Sequence, residues 1–178
     1  METLEIVDTY FGWEKSESAV FLALGFLGIG LGLFFWWYHK SSLLQGAIAP
    51  LLILGLISGI VGGTIFFRTD AQVAALKQTY QQDSGRFFTE EQVRMHKVNR
   101  NWAIYKIIEL VIILAAMILL FLAYRRDFWA GFAMAALLMA SAMMVLDVIG
   151  ERNGRWYAEH LQSFPENTDR DDALGSRR

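Results

Sequence analysis

Four apolar blocks separated by polar stretches set the pattern of this chain, over residues 19–38, 46–67, 104–124 and 128–149. Each is close to the roughly 20 residues that carry a helix across a hydrocarbon core. None alternates polar with apolar as a barrel strand does. The pattern predicts an all-α membrane protein with four transmembrane helices. The connections "HKSSLLQ" and "RRD" are so short that spans one and two, and spans three and four, are expected as two antiparallel hairpins. Both termini and the longer polar connecting segment, 68–103, then lie on one side.

The flanks add detail to that frame. Residues 1–18 form an acidic amphipathic segment, with Leu4, Val7 and Phe11 on one helical face and Glu5 and Asp8 off it. Membrane-surface helices are usually basic, so this face is expected to meet a protein partner or the region from Lys97 to Arg100. "TEEQ" at Thr89–Gln92 reads as a capping box, which starts the third helix at Glu90, about 50 Å from Tyr124. About a third of that helix would project from the membrane. The fourth is expected to continue to Phe164, with Asn153–Gly154 a candidate kink and Pro165 the stop. The four-helix bundle would thus span 19–164, and the tail, 165–178, reads as disordered.

Orientation follows from the basic residues near the span ends. Lys15, Arg68, Lys77, Arg86, Arg94, Lys97, Arg100, Lys106, Arg152 and Arg155 lie on the side of the termini, against Lys40, Arg125 and Arg126 at the hairpin turns. This bias places both termini in the cytosol. "METLEIVDTYFGWEKSES" lacks a basic n-region, so the first span is expected to stay as an anchor. With no N-x-S/T sequon, the expected location is a prokaryotic inner membrane.

Composition removes several function classes. The chain is 54% hydrophobic and 19% charged, and its net charge of −2 argues against nucleic acid as a partner. Zero cysteines exclude disulfides and thiolate chemistry. His39, His96 and His160 all fall outside the spans, which disfavours a membrane haem, and no H-E-x-x-H pattern occurs. There is no nucleophile triad, phosphate loop or dinucleotide fingerprint, so no catalytic residue, cofactor or metal is assigned.

Small residues form three ridges. Gly55, Gly59 and Gly63 repeat every fourth position in the second span, and Gly25, Gly28 and Gly32 share a face of the first. Ala133, Ala136 and Ala140 line a narrow face of the fourth. In lipid such faces let helix backbones approach closely. The plain reading packs the first two ridges on one another; the sharper one uses them, with the alanine face, for self-association or for docking on a partner's helix. A weak repeat also relates "FFWWYHKSSLLQGAIAPLLI" to "FLAYRRDFWAGFAMAALLM", which would place an axis along the membrane normal.

The charges gather at one depth. Counted from its turn, Glu109 lies roughly 22 Å into the span and Asp147 roughly 28 Å. Lys106, one turn from Glu109, is spaced to pair with it at i, i+3. Folding each hairpin about its turn brings Asp147 level with Lys106, Arg68 level with Glu17, and Asp70 level with Lys15. Glu17, Arg68, Lys106, Glu109, Asp147, Glu151 and Arg155 therefore read as a charged collar or as an ion path, with Glu109 the candidate working group. The leading expectation is a non-enzymatic accessory or scaffold subunit, or self-assembling bundle, whose partners are the lipid bilayer and a second copy or another membrane protein. The alternative is a small oligomeric ion or solute channel or transporter with Glu109 and Asp147 at its cytosolic mouth.

Overall fold

The computed structural model describes the backbone of residues 3–38, 40–123 and 125–175, and side chains as far as residue 163. Four helices account for nearly all of it: α1 (Thr3–Tyr38), α2 (Ser42–Gln82), α3 (Ser84–Leu122) and α4 (Asp127–Gly175). Each contains a stretch long and apolar enough to cross a membrane, so the protein is an all-helical, multi-pass membrane bundle. At 1.5 Å per residue α1 and α2 are about 54 and 62 Å long, roughly twice a hydrocarbon core. Helix therefore runs far past the apolar block in α1 and α2 as well as in α3 and α4, where alone it was expected. All four extensions lie at one end of the bundle, the polar end.

The extensions arise from residues whose pattern looked like flank. Segment 68–103 is almost wholly helical, since α2 reaches Gln82 and α3 begins at Ser84. Asp83 makes the turn: its carboxylate accepts from the Arg86 amide at 2.9 Å, and its own amide donates to the Thr79 carbonyl at 2.9 Å. Aspartate is among the strongest N-caps, and starting the helix there buries Phe87. The capping box expected at Thr89 is thus inside α3, where the Thr89 hydroxyl donates to the Gly85 carbonyl instead. Residues 3–18 are likewise the first half of α1. Their apolar face, with Ile6, Val7, Tyr10 and Phe11 at 1–3% exposure, is core: it packs with Phe87 and Met95 and against Val98 of α3, so of the two expected contacts it makes the one within the chain. Helix α4 passes through Asn153 and Gly154 and its backbone stays helical beyond Pro165, where a stop was expected. Proline forfeits one hydrogen bond there, but its φ is compatible with helix. The disorder expected for 165–178 concerns residues whose side chains are outside the described set.

Two cores stack along the bundle. At the polar end Ile6, Val7, Tyr10, Phe11, Phe87, Met95, Tyr157 and Leu161 pack together, with the Tyr10 and Tyr157 rings stacked at 4.3 Å. Within the apolar half Ala47, Leu51, Leu54, Ala135 and Met139 form a thinner core. Around it Phe26, Ile53, Ile60, Ile118, Phe121 and Leu138 point outward and are exposed. Apolar groups outside a core of small residues are what a lipid solvent permits.

Contact partners move backward along α2 as they advance along α1: Asp8 pairs with Lys77, Lys15 with Asp70, Gly25 faces Gly59 and Gly32 faces Leu52. Helices α3 and α4 behave in the same way, with Glu91 bonded to Tyr157 and Lys106 to Glu151. Helix α4 touches the other three, whereas the backbones of α1 and α3 stay apart. The tightest crossing joins α2 and α4. A Cβ on Gly46 would come 1.8 Å from the Phe128 carbonyl oxygen, and one on Gly131 would come 1.8 Å from that of Leu43. Gly46 and Gly131 hold matching places in the weak repeat, and Leu43 and Phe128 each precede one of them by three residues. The two contacts are therefore reciprocal, as a local two-fold axis between α2 and α4 requires.

Candidate functional site

Besides Ser58 and Thr69 of α2, the interior carries polar side chains on the other three helices. Helix α1 contributes Tyr10, Glu14 and Glu17; α3 contributes Glu91, Arg94, Asn99, Trp102, Lys106 and Glu109; α4 contributes Asp147, Glu151, Asn153 and Tyr157. Steps of three and four keep Tyr10, Glu14 and Glu17, then Asn99, Trp102, Lys106 and Glu109, and also Asp147 and Glu151, each on one face; the step of five from Arg94 to Asn99 and of two from Glu151 to Asn153 broaden the α3 and α4 sets. Because α4 lies between α1 and α3, its face organises the seam.

At the outer end, Arg94 makes a bidentate pair with Glu91 at 2.6 and 2.7 Å, and the Tyr157 hydroxyl donates to Glu91 at 2.9 Å. The Arg94 guanidinium also lies 5.2 Å from the centre of the Phe11 ring. Burial pushes the hydroxyls of Tyr10 and Tyr157 well above the ordinary tyrosine range, so both stay neutral donors. Sequence reasoning left this network out, because Glu91 and Arg94 read as part of a solvated helix. Their i, i+3 spacing followed by Met95 and Val98 was the available signal.

One layer inward stand Glu14 and Glu17. Burial raises the Glu14 carboxyl, an effect that Arg94 and Arg68 oppose. Arg68 approaches Glu14 at 3.9 Å rather than its expected partner Glu17, and remains half exposed. Glu17 instead accepts a hydrogen bond from the Asn153 side chain. Burial pushes its carboxyl up to about 7 against that bond, and nearby Glu14 adds to the rise. Lys15 does meet Asp70, at 2.6 Å, as folding the first two spans predicts.

Deepest are the groups of α3 and α4. Lys106 does not pair with Glu109. Its ammonium reaches back toward the polar end to Glu151, which also accepts from Arg155 at 2.7 Å. A long amphipathic side chain at an interface takes its charge toward water, and that preference separates the i, i+3 pair. The two cations, Lys106 foremost, hold the Glu151 carboxyl below its usual range despite partial burial. Arg155 itself stays largely exposed. Glu109, left by its expected partner, lies 5% exposed with its carboxyl hydrogen-bonded to that of Asp147, also 5% exposed. Glu109 Oε2 is buried without a hydrogen-bond partner. No group of three or more histidine, aspartate or glutamate side chains suited to a metal ion occurs among the described residues.

The small-residue ridges face inward. Gly25, Gly28, Gly32 and Gly55 mediate the contact of α1 with α2, where a Cβ on Gly25 would lie 2.4 Å from the Gly59 amide nitrogen. Gly59 and Gly63 have only ordinary contacts beside their own Cβ positions. The tight positions of α2 against α1 are Gly55 and Gly62, with Ser58 between them donating to the Phe21 carbonyl at 2.8 Å. Ala133, Ala136 and Ala140 are at most 6% exposed. The alanine face is covered, whereas Gly59 and Gly63 remain partly exposed. Gly46, Gly131, Gly150 and Gly154, which the ridge pattern missed, make the closest approaches on α2 and α4. No protein-family model matches the chain, and no curated protein or solved structure is significantly similar to it.

Proposed function

We propose that this protein is a small membrane channel or transporter that takes up and releases a cation, the proton, at the Glu109–Asp147 carboxyl pair. The carrying observation is that pair: two acids on membrane-spanning helices, buried, touching one another, with the nearest cation drawn off to Glu151. Acids inside transmembrane segments are costly and are seldom kept without work to do. Two carboxyls in contact hold one proton between them and release it when a base or water reaches them. With the bundle arranged as two hairpins and its polar end in the cytosol, as the basic residues favour, the pair sits at the cytosolic mouth.

An accessory or scaffold role is the second reading. One observation favours it: α3 turns Ile104, Ile107, Ile108, Val111, Ile118 and Phe121 outward as a continuous apolar face, which suits a partner helix as well as lipid. Such an assembly would use α3 rather than the glycine and alanine ridges.

The readings separate in liposomes. Under the proposal, the reconstituted protein dissipates an imposed pH gradient, and Glu109→Gln slows it about a hundredfold, the scale of losing one proton-transfer group. Thermal unfolding in detergent should stay within a few degrees of the parent. Gradient decay no faster than in protein-free liposomes would remove the proposal and leave the scaffold reading.

A further inference from the structure

At the level of Glu17, on the polar side of the carboxyl pair, α4 carries Gly150 and Gly154 one turn apart. Trp102 of α3 lies across both. A Cβ on Gly150 would meet the Trp102 ring at 2.8 Å and Glu17 Oε2 at 3.0 Å; one on Gly154 would meet Asn99 Oδ1 at 3.1 Å and Trp102 Nε1 at 3.6 Å. Two glycines thus let side chains from α1 and α3 meet over α4, whose backbone separates their helices. Trp102 Nε1 is a buried donor without an acceptor, and Asn99 Oδ1 is a buried acceptor without a donor, both beside Gly154. Glu14 Oε2 and Glu109 Oε2 are likewise buried without a partner, toward the two ends of the same seam. Buried polar atoms of this kind are normally satisfied, and a donor facing an acceptor across a small gap is a setting that ordered water fills.

We propose that the slot over Gly150 and Gly154 binds water and, with Glu17 as a relay, is the inlet through which protons reach Asp147 and Glu109 from the polar end. This rests on the reading of the carboxyl pair as a proton site. In the slot a water accepts from Trp102 Nε1 and donates to Asn99 Oδ1. A hydronium arriving past Glu14 gives a proton to the Glu17 carboxylate. Glu17, whose Oε2 lies beside Gly150, passes it to a second water there as an O–H bond breaks and another forms, and that second water protonates Asp147, one helical turn beyond Gly150. No atom other than the proton is transferred. The groups facing Glu17 are Asn153 of α4, Glu14 of its own helix and, through Glu14, Arg68 of α2 and Arg94 of α3; Lys106 and Glu151 border the step to Asp147. A carboxyl pushed up to about 7 by burial suits a relay near neutral pH.

Transfer of the full chain in lipid nanodiscs from H2O to D2O, followed by infrared absorption of protonated carboxyls, tests the inlet without any transport assay. The band assigned to the pair is the one lost in Asp147→Asn. It should exchange rapidly in the parent and about tenfold or more slowly in Gly150→Val and Glu17→Gln. Trp102→Phe, which removes the Nε1 donor together with one ring of the indole, should also slow it and serves if Gly150→Val does not fold. Equal exchange rates in the parent, Glu17→Gln and Trp102→Phe would overturn the inlet, as would the lack of any such band in the parent. Slowed exchange in protein that carries no liposome flux supports the inlet and rejects the transport function. Flux that depends on Glu109, with exchange indifferent to Glu17 and Trp102, does the reverse.

Discussion

At the scale of residues, Lys106 decides what Glu109 is. Had the two paired, Glu109 would be a neutralised interfacial acid; with Lys106 held by Glu151, it meets another carboxyl. Glu17 carries a consequence that can be measured outside the apolar blocks. Burial lifts its carboxyl from 4.5 to about 7. The folded chain then holds that proton more tightly than the unfolded chain, so the associated stability is complete below about pH 4.5 and is lost as pH rises through about 7. Glu151 has the opposite sign: its lowered carboxyl contributes above the ordinary glutamate value and is lost as pH falls through the depressed one. The thermal midpoint in detergent should therefore decline from about pH 5 to about pH 8, and Glu17→Gln should flatten that decline. An unchanged pH profile in the variant would show that Glu17 is already solvated.

At the scale of elements, helices are brought together where carbon is missing. A Cβ on Gly46 or Gly131 would lie 1.8 Å from a carbonyl oxygen of the neighbouring backbone. A backbone cannot rotate aside as a side chain does, so even a methyl forces α2 and α4 apart. Gly131→Ala is expected to cost about 3 kcal/mol or more, the upper part of the overpacking range. Gly59→Ala, whose Cβ would find its nearest neighbour at 3.8 Å, should fall within about 1 kcal/mol of the parent once helix propensity is included. Urea unfolding of both variants in the same detergent makes the comparison. Comparable losses would mean that the crossing relaxes more readily than its backbone contacts imply. Spacing of glycines every fourth residue pointed to the right pair of helices in α1 and α2, but not to the working register of α2, which runs through Gly55, Ser58 and Gly62.

At the scale of the whole molecule, the bundle has two storeys with different solvents. The apolar half is built of small residues and turns its large ones outward. The polar half has an aromatic core typical of water-soluble bundles, fringed by exposed ion pairs such as Lys15–Asp70 and Lys77–Asp8. Pairs of that kind are worth about 0–1 kcal/mol each, so the aromatic core carries the stability there. Deleting residues 1–13 removes Ile6, Val7, Tyr10 and Phe11 from around Tyr157 and Phe87. The shortened chain is expected to insert in membranes as before, while limited proteolysis cuts near Asp83, at the α2–α3 turn, within minutes rather than hours. Equal protection of that turn in the two chains would mean that α2, α3 and α4 hold the polar end without α1.

The number of apolar helices and the level of each charge along its helix were legible in the sequence, because rise per residue converts position along a helix directly into distance along its axis; the full lengths of the helices were not. Direction around the helix axis was not. Which neighbour a side chain meets depends on how four cylinders rotate against one another, and a rotation of one residue replaces every contact. That is why depth alone put Glu109, Lys106 and Asp147 in one layer, while only packing gave Lys106 to Glu151 and Glu109 to Asp147. It is also why the apolar face of residues 3–18 had no single expected partner, and why 68–103 and the Glu91–Arg94 pair looked solvated: these faces find one another only when all four helices are side by side.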